Sequence, residues 1–193
     1  MFILPNFKKK ENNKSDLVKL RVNRNKKTEE NNWDERSAGG IVFKRDRDRF
    51  LWLVIRTLSK KDPFDNRGRR KRPIFKLPKG HVDKDEFLKQ AALREVEEEG
   101  RVKAKIVEKI GSNDYMLWNR EEKKKITKKV SFFMMEYVSK SQMRYEDDEG
   151  VLGSYWLTFE AALKKLAYKS EKILLERARR RLDDLIKKGK VGV

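Results

Sequence analysis

The sequence predicts an α/β fold in which a mixed β-sheet packs between helices. Three observations support this: β-rich runs are separated by charged or glycine-containing turns, one amphipathic helix lies between them, and two further helices follow. The predicted order is two strands, a loop, a strand and a helix, then four strands and two helices. With 193 residues, the chain is long enough for one domain with a core of ordinary size.

Composition indicates a very basic protein whose partners are polyanions. Charged residues make up 42% of the chain and the net charge is +19, which favours nucleotides, polyphosphate or nucleic acid as partners. Aromatic residues at 10% argue against wholesale disorder, and the absence of cysteine excludes disulfides and thiolate zinc sites. No stretch is long and apolar enough to span a bilayer, so we expect no membrane partner and a cytoplasmic location.

Residues 1–36 are predicted to form a basic, partly mobile N-terminal extension, and residues 37–193 the folded domain. The extension is rich in Lys, Asn and Glu, with one short β-prone run at Leu17–Val22. Three roles stay open for it: a solubilising tail, an arm that contacts nucleic acid, or a strand that completes the sheet.

The domain begins with a predicted β-hairpin, in which Ser37–Lys44 and Phe50–Thr57 flank a charged turn. A loop rich in lysine and arginine follows at Leu58–Pro73, and then a short strand at Ile74–Lys79. Because the loop leads toward the acidic central helix, we expect it to overhang that helix. There, Arg56 and the loop cations would attract a phosphate chain, unless the loop is simply solvated.

The central helix carries acidic residues on the face that normally turns inward. On a helix over Phe87–Glu99, at about 100° per residue, Glu95, Glu98 and Glu99 fall in one sector. That sector also holds small and apolar side chains, namely Leu88, Ala91 and Ala92. A solvated acidic patch is the alternative, since glutamate runs are common on exposed helices. Buried carboxylates need a partner, and like charges this close resist ionising together, so oxygen-bound Mg²⁺ or Mn²⁺ is the favoured interpretation.

The same stretch, Gly80–Val102, carries a spaced sequence pattern. Its members are Gly80, Glu86, Arg94, Glu95, Val96, Glu98, Glu99 and Val102. This pattern resembles the Nudix box of the Nudix hydrolases over its full length. One position departs from it: Arg101 stands where the family has a glycine, and Gly100 lies one position early.

The resemblance implies an α/β/α sandwich and a role for several residues of the box. Glu95, Glu98 and Glu99 would be Mg²⁺ ligands, and the backbone carbonyl of Gly80 would be a further ligand. Arg94 would orient one of the glutamates for catalysis.

The resemblance leaves the general base open, because family members differ in it. Glu95 is one candidate, and Glu149 and Glu146, in an acidic loop ahead of a later strand, are the others. Glu86 has two open roles: a helix-capping pair with Asp83, or outer support of the metal site.

Beyond the central helix, the sequence predicts four more strands and two helices. The strands are Val102–Ile110 and Tyr115–Trp118 around a turn at 111–114, a central strand Thr127–Val138, and Ser154–Leu157. The helices are Phe159–Ala167, capped by Thr158, and Glu171–Lys188, capped by Ser170. The arginines of the last helix form either a solvated outer face or an RNA-binding edge.

Four residues are predicted to contact the substrate. Lys79 and His81 lie at the mouth of the site, and Arg56 precedes the basic loop. Tyr155 is a candidate for stacking on an adenine, although core packing is the alternative. For His81 the alternative is a simple turn residue. Two other aromatic residues share the stacking role and its alternative, namely Tyr168 and Phe64.

The string LPKGHVD and the segment from Tyr155 to Ala178 are similar to the diadenosine tetraphosphate hydrolase and diphosphoinositol phosphohydrolase side of the family. This likeness implies a Mg²⁺-dependent pyrophosphohydrolase that cleaves a nucleoside diphosphate linked to another moiety, with dinucleoside polyphosphates favoured. Two alternatives follow from the +19 charge: an RNA 5′-end pyrophosphohydrolase or decapping enzyme, or a catalytically inactive RNA-binding Nudix protein.

Overall fold

The computed structural model of the protein describes residues 33–58, 73–119, 123–143 and 150–190. Several sequence-based predictions lie outside these residues. They are most of the N-terminal extension with Leu17–Val22, most of the loop 58–73 with Phe64, and the two loop acids Glu146 and Glu149. The first strand begins at Glu35, two residues before the predicted domain boundary.

The described residues contain seven strands and three helices, labelled here in chain order. The strands are β1 (Glu35–Asp46), β2 (Arg49–Thr57), β3 (Ile74–Lys76), β4 (Lys79–His81), β5 (Val102–Asn119), β6 (Lys124–Lys140) and β7 (Val151–Leu157). The helices are α1 (Leu88–Gly100), α2 (Phe159–Lys165) and α3 (Lys169–Lys187).

The strands form one mixed sheet in the order β3-β2-β1-β6-β5, with β4 paired to β1 and β7 paired to β2. The β1–β6 pair is parallel and the other pairs are antiparallel. As predicted, β6 is an interior strand, with β1 on one side and β5 on the other.

Side chains alternate between the two faces of the sheet and form a separate core on each. On one face α1 contributes Ala91, Ala92 and Val96, which pack on β1, β2 and β6. On the other face α2 and α3 cover side chains that include Trp52 and Phe132. Helices thus lie on both faces of the sheet, which confirms the predicted α/β/α sandwich.

The contact between α1 and β1 is close enough to require a glycine. A Cβ atom at Gly40 would lie 2.3 Å from the Val96 Cγ2 atom, far inside van der Waals contact. The predicted helix Phe87–Glu99 agrees with α1 to within one residue.

The predicted turn at 111–114 is wrong, because β5 runs through it without interruption. Ser112, Asn113 and Asp114 pair with successive residues of β6. The bends that so long a strand requires are taken up by register shifts after Lys103, Ile106 and Lys109 instead. Turn-forming residue types were therefore overridden by long-range pairing with β6.

Two smaller predictions also need correction. The strand predicted at Ile74–Lys79 is divided into β3 and β4, which pair with β2 and β1 respectively. Ser170 does not cap the last helix: α3 begins earlier, with Tyr168 at the N-cap position and no side-chain cap hydrogen bond. Thr158 does cap α2, since its hydroxyl accepts a hydrogen bond from the Ala161 N–H.

Within the described residues, no helix combines the length and apolar character that crossing a bilayer requires.

Candidate active site

Helix α1 turns its glutamates toward the sheet, as the angular argument predicted. Glu95 and Glu99 are buried, with relative exposures of 6% and 2%. The Glu98 side chain is 28% exposed and lies at the edge of the same group. A solvated acidic patch does not describe residues this deeply buried.

Arg94 joins three of the carboxylates. Its guanidinium makes a two-pronged contact with Glu86, Nε to Oε1 at 3.0 Å and Nη2 to Oε2 at 2.9 Å. Its Nη1 atom donates to both Glu95 Oε1 and Glu98 Oε2 at 3.0 Å. We call Arg94, Glu86, Glu95 and Glu98 the arginine cluster. These hydrogen bonds raise the pKa of Arg94 and lower that of Glu86.

The arginine cluster is anchored to the residues that precede the helix. Arg94 Nη2 also donates to the backbone carbonyl of His81 at 2.8 Å. Glu86 accepts a hydrogen bond from the Asp83 N–H at 3.1 Å. Glu86 therefore makes a local bond with Asp83 ahead of the helix and an ion pair with Arg94, and its support of a metal site stays a prediction.

The Glu95 carboxylate lies directly against Gly80. A Cβ atom at Gly80 would be 2.0 Å from Glu95 Oε1, so only glycine leaves this space to the carboxylate. Burial, reinforced by the neighbouring Glu99, raises the pKa of Glu95 to about 7, although Arg94 acts in the opposite direction. The backbone of Gly80 and the Glu95 carboxylate thus lie side by side.

Glu99 belongs to a second group of charges. Its Oε1 atom accepts from the Lys76 ammonium at 2.9 Å, and its Oε2 atom accepts from the Lys79 backbone N–H at 2.7 Å. On the other side of the same segment, Glu171 of α3 is 1% exposed and accepts from the Leu77 N–H at 2.9 Å. The segment between β3 and β4 is therefore held by one carboxylate from each helix layer.

We call Lys76, Lys79, Glu99 and Glu171 the lysine cluster. Burial raises the pKa of Glu171 to about 7, although the Leu77 N–H and the two lysines act in the opposite direction. Burial and the neighbouring Lys76 lower the pKa of Lys79, and Glu171 and Glu99 oppose this.

The sequence analysis missed Lys76 and Glu171 as site residues. A signal for Glu171 was present: it precedes Leu174, Leu175 and Ala178 at helical spacing, on the buried face of α3. The same reasoning that singled out Glu95 applies to it. No comparable signal marks Lys76, which lies in a three-residue strand.

His81 lies beside the site but is exposed. Its side chain is 67% exposed, and its Nε2 atom lies 2.9 Å from the Lys128 ammonium and 3.3 Å from Glu35 Oε2. Lys128 also donates to Glu35 at 2.9 Å, and this hydrogen bond lowers the pKa of Glu35. His81 is thus held by β1 and β6, rather than being a simple turn residue. Because Gly80 faces α1, strand alternation turns the side chains of its neighbours Lys79 and His81 to the opposite face of the sheet.

Arg56 and Tyr155 are not brought together with the carboxylates. Arg56 pairs with Phe75 of β3, and the Tyr155 ring contacts the Phe75 ring edge-on, with 5.7 Å between centroids. Phe75 packs on the core beneath α2 and α3. By strand alternation, Arg56 and Tyr155 therefore lie on the sheet face opposite α1.

The donor set fits a divalent cation. Among residues 33–58, 73–119, 123–143 and 150–190, no three acidic or imidazole groups converge in a ready-made metal site. The arginine cluster nevertheless sets three carboxylates against one guanidinium, which leaves two negative charges uncompensated when all are ionised. All candidate donors are oxygen atoms, which suits Mg²⁺ or Mn²⁺.

The position that departs from the box pattern adopts a glycine-like conformation. Arg101 ends α1 in the left-handed region, with φ 58° and ψ 32°, and its N–H donates to the Glu97 carbonyl. Glycine adopts this conformation without strain, whereas other residues do so at a small energetic cost. The departure changes the residue type but leaves the helix ending in place.

Comparison with known proteins agrees with this site. The model of the NUDIX domain family matches residues 33–177. The MutT4 protein of Mycobacterium tuberculosis is 30% identical over 154 residues, covering 78% of this chain and 57% of that protein. The chain thus spans somewhat more than half the length of this relative.

Solved structures share the fold at low identity. A NUDIX hydrolase from Nitrosomonas europaea superposes with a TM-score of 0.55 at 17% identity, covering 76% of this chain and 88% of that one. The Ap4A hydrolase of C. elegans superposes with a TM-score of 0.53 at 18% identity, covering 78% and 98%. The match of the family model to most of the chain confirms the prediction made from the box, and the chain belongs to the Nudix hydrolase family.

Proposed function

We propose that the protein is a Mg²⁺-dependent pyrophosphohydrolase that cleaves a nucleoside diphosphate linked to another moiety. The observation that carries the proposal is the arginine cluster, in which buried or half-buried carboxylates outnumber the one guanidinium they share. Such an excess of negative charge is relieved either by protonation, which the raised pKa of Glu95 favours, or by a further cation, which would keep the carboxylates ionised.

The residues that would hold the metal are Glu95, Glu98 and Glu99, with the carbonyl of Gly80. When bound, Mg²⁺ neutralises phosphoryl oxygens and lowers the pKa of a coordinated water. Glu99 already accepts hydrogen bonds from Lys76 and the Lys79 N–H on its two oxygens. Its metal contact would therefore use lone pairs that those bonds leave over.

The chain's own side chains would orient the reacting groups and move the proton. Arg94 fixes the positions of the Glu95 and Glu98 carboxylates. Either Glu95 or Glu149 would accept the proton of the attacking water, and Glu95 is well suited because its buried carboxylate has a raised pKa of about 7. A contact of Lys79 and His81 with the phosphate chain stays a prediction, because strand alternation turns both side chains away from α1.

For the substrate, we favour dinucleoside polyphosphates such as diadenosine tetraphosphate. Support comes from the LPKGHVD string and from the C. elegans Ap4A hydrolase, whose fold this chain shares. A contact between the substrate and Arg56 or Tyr155 would require a ligand that reaches around the edge of the sheet at β3, and stays a prediction.

A second candidate is an RNA 5′-end pyrophosphohydrolase, favoured by the net charge of +19. Both reactions break a phosphoric anhydride bond and would use the same carboxylates. We expect either reaction to take place in the cytoplasm.

The test is turnover of a substrate panel with Mg²⁺: diadenosine tetraphosphate, ADP-ribose, 8-oxo-dGTP, a diphosphoinositol phosphate and triphosphorylated RNA. We expect Glu98→Gln to lower the rate on the order of 10²- to 10³-fold, because one charge-stabilising group is lost. Glu97→Gln is the matched control, since Glu97 lies on the same helix and bonds the Ser141 hydroxyl at 2.7 Å instead. Absence of turnover on every substrate, or equal rates in the two variants, would contradict the proposal.

A further inference from the structure

The hairpin formed by the end of β5 and the start of β6 has two unlike faces. One face is packed: Tyr115 contacts the core beneath α3, Ile126 is buried, and the Tyr115 hydroxyl lies 3.4 Å from the Ser170 hydroxyl. The other face bears two large apolar side chains that are mostly exposed, Met116 at 75% and Trp118 at 59%. An exposed tryptophan of this kind marks a contact surface.

Strand alternation identifies the rest of the open face. Phe133 of β6 packs on the α1 side of the sheet, so every second residue before it points to that side. Thr127 pairs with Met116, and Lys125 pairs with Trp118. Lys129, opposite Asp114, continues the row. We call Met116, Trp118, Lys125, Thr127 and Lys129 the hairpin face.

The hairpin face is continuous with the α1 side of the strands that lead to Gly80. In the parallel β1–β6 pair, Lys129 lies beside Arg36. The Arg36 carbonyl in turn accepts a hydrogen bond from the Val82 N–H at 3.0 Å, next to His81. A chain-like ligand on this face would therefore run toward Gly80 along neighbouring strands, on the α1 side of the sheet.

We propose that the hairpin face binds single-stranded nucleic acid, with bases stacked on Trp118 and phosphates held by the lysines. An indole, a flexible thioether and lysines on one exposed sheet face match the way such strands are bound, by stacking and by charge. The net charge of +19 favours a polyanion over a second copy of this equally basic chain. Two acidic residues border this face: Asp114, exposed opposite Lys129, and Asp34, whose carboxylate accepts hydrogen bonds from the Thr127 N–H at 2.6 Å and the Thr127 hydroxyl at 2.9 Å.

The test measures binding rather than turnover, so it does not depend on the proposed reaction. A fluorescent uridine oligoribonucleotide and a thymidine oligodeoxyribonucleotide of equal length are titrated with the full chain, without Mg²⁺. Inorganic polyphosphate, which has charge but no bases, is the control ligand.

We expect Trp118→Ala to weaken oligonucleotide binding roughly 5- to 100-fold, the range that loss of one stacked base gives. Trp118→Phe should retain most of the affinity, and polyphosphate binding should stay unchanged in both variants. Val138→Ala, which trims another exposed apolar side chain outside this face, is the matched control. Lys125→Ala should reduce the slope of log affinity against log salt by about one.

Three results would overturn the proposal. In the first, Trp118→Ala binds both oligonucleotides with the affinity of the parent. In the second, its affinity for polyphosphate falls by the same factor as its affinity for the oligonucleotides. Either result would show that stacking plays no part. Alternatively, Trp118→Ala could abolish concentration-dependent self-association in sedimentation while leaving oligonucleotide binding intact, which would assign the face to a second copy. A stronger effect on the ribonucleotide than on the deoxyribonucleotide would support the proposal and identify RNA as the strand.

Discussion

The arginine cluster and the lysine cluster lie next to each other, and both contain buried carboxylates, but they differ in charge balance. In the lysine cluster two carboxylates face two ammonium groups, and backbone N–H groups occupy further oxygens. In the arginine cluster three carboxylates share a single guanidinium. The charges of the first arrangement are balanced, whereas the second has an excess of negative charge that another cation would offset.

This difference distinguishes carboxylates that hold the backbone in place from carboxylates that are proposed to act in catalysis, although the two clusters are neighbours. Glu99 and Glu171 hold the segment between β3 and β4, and thereby place Gly80. Glu95 and Glu98 keep oxygen atoms available beside it. We therefore expect substitution of Glu171 to change stability, and substitutions in the arginine cluster to change activity and the response to Mg²⁺. Glu99, which holds the segment and is also a proposed ligand, should affect both.

The largest effect is expected from Arg94→Met. Removal of the guanidinium leaves three neighbouring carboxylates without their shared partner, so we expect stability to fall by roughly 2–4 kcal/mol. The rate should fall on the order of 10² or more, because Glu95 and Glu98 lose their orientation. Urea unfolding with and without Mg²⁺ measures the first effect. Mg²⁺ should restore part of the lost stability, and failure to do so would contradict a cation site here. Lys89→Met, on the exposed face of the same helix, is the control.

Gly80→Ala tests the contact between Gly80 and Glu95 directly. A Cβ atom at 2.0 Å from Glu95 Oε1 must displace the carboxylate, and a displacement of about 1 Å lowers enzymatic rates about 10²-fold. Steady-state rates over a range of Mg²⁺ concentrations measure this. Gly111→Ala is the matched control, because its added Cβ would meet the ends of two flexible side chains, Leu174 and Arg177. Equal rates in the two variants would contradict the site geometry.

Glu171→Leu should act on stability instead. The Leu77 N–H loses its buried acceptor and two lysines lose a counter-charge, so we expect a loss of about 2–3 kcal/mol. Glu171→Gln, which keeps an acceptor oxygen, should lose about 1 kcal/mol less. The Mg²⁺ concentration for half-maximal activity should be unchanged in the folded variants. A clear shift in this concentration would contradict the purely structural role of Glu171. Exposed Glu176→Leu on the same helix is the control.

The pH dependence of stability also distinguishes the two clusters, although the expected effect is smaller than those above. Glu95 and Glu171 have pKa values raised from 4.5 to about 7 in the folded protein. Between these values the folded state holds protons that the unfolded chain has lost, so the free energy of unfolding falls as pH rises from 4.5 to about 7. Each group should contribute about 1–3 kcal/mol.

Saturating Mg²⁺ should abolish only the Glu95 part of this slope, because the cation favours the ionised carboxylate. Glu95→Gln should therefore flatten the slope only without Mg²⁺, and Glu171→Gln should flatten it in both conditions. Urea unfolding at a series of pH values measures these slopes. If Mg²⁺ left the parent slope unchanged, Glu95 would not be a ligand.

Helix α1 could be predicted because its pattern depends only on residues that are close together in the sequence. Periodicity located α1 to within one residue, and the inward position of Glu95 and Glu99 followed from the angle per residue. The turn wrongly predicted at 111–114 shows where such reasoning stops. Its residue types favour a turn, but pairing with β6 decides the conformation, and that partner is distant in the sequence.

The lysine cluster could not be assembled from the sequence, because its contacts join distant residues. Lys76 and Glu99 are 23 positions apart, and Leu77 and Glu171 are 94 apart. No periodicity relates residues of a three-residue strand to those of two helices on opposite sheet faces. The sequence also gave no reason to place Arg56 and Tyr155 on the face away from α1, which follows from the register of β2 with β3 and β7.

The hydrogen bond from the Leu77 N–H to Glu171 can form only late in protein synthesis. A ribosome releases β1, β4 and α1 well before it releases α3, so a nascent chain has all the box glutamates but lacks the acceptor that secures the stretch leading to Gly80. The parallel β1–β6 contact, which joins residues 93 positions apart at Glu35 and Lys128, also waits for later synthesis. We therefore expect the metal binding proposed above to begin only after Glu171 has been synthesised and released, and shorter nascent chains to lack it.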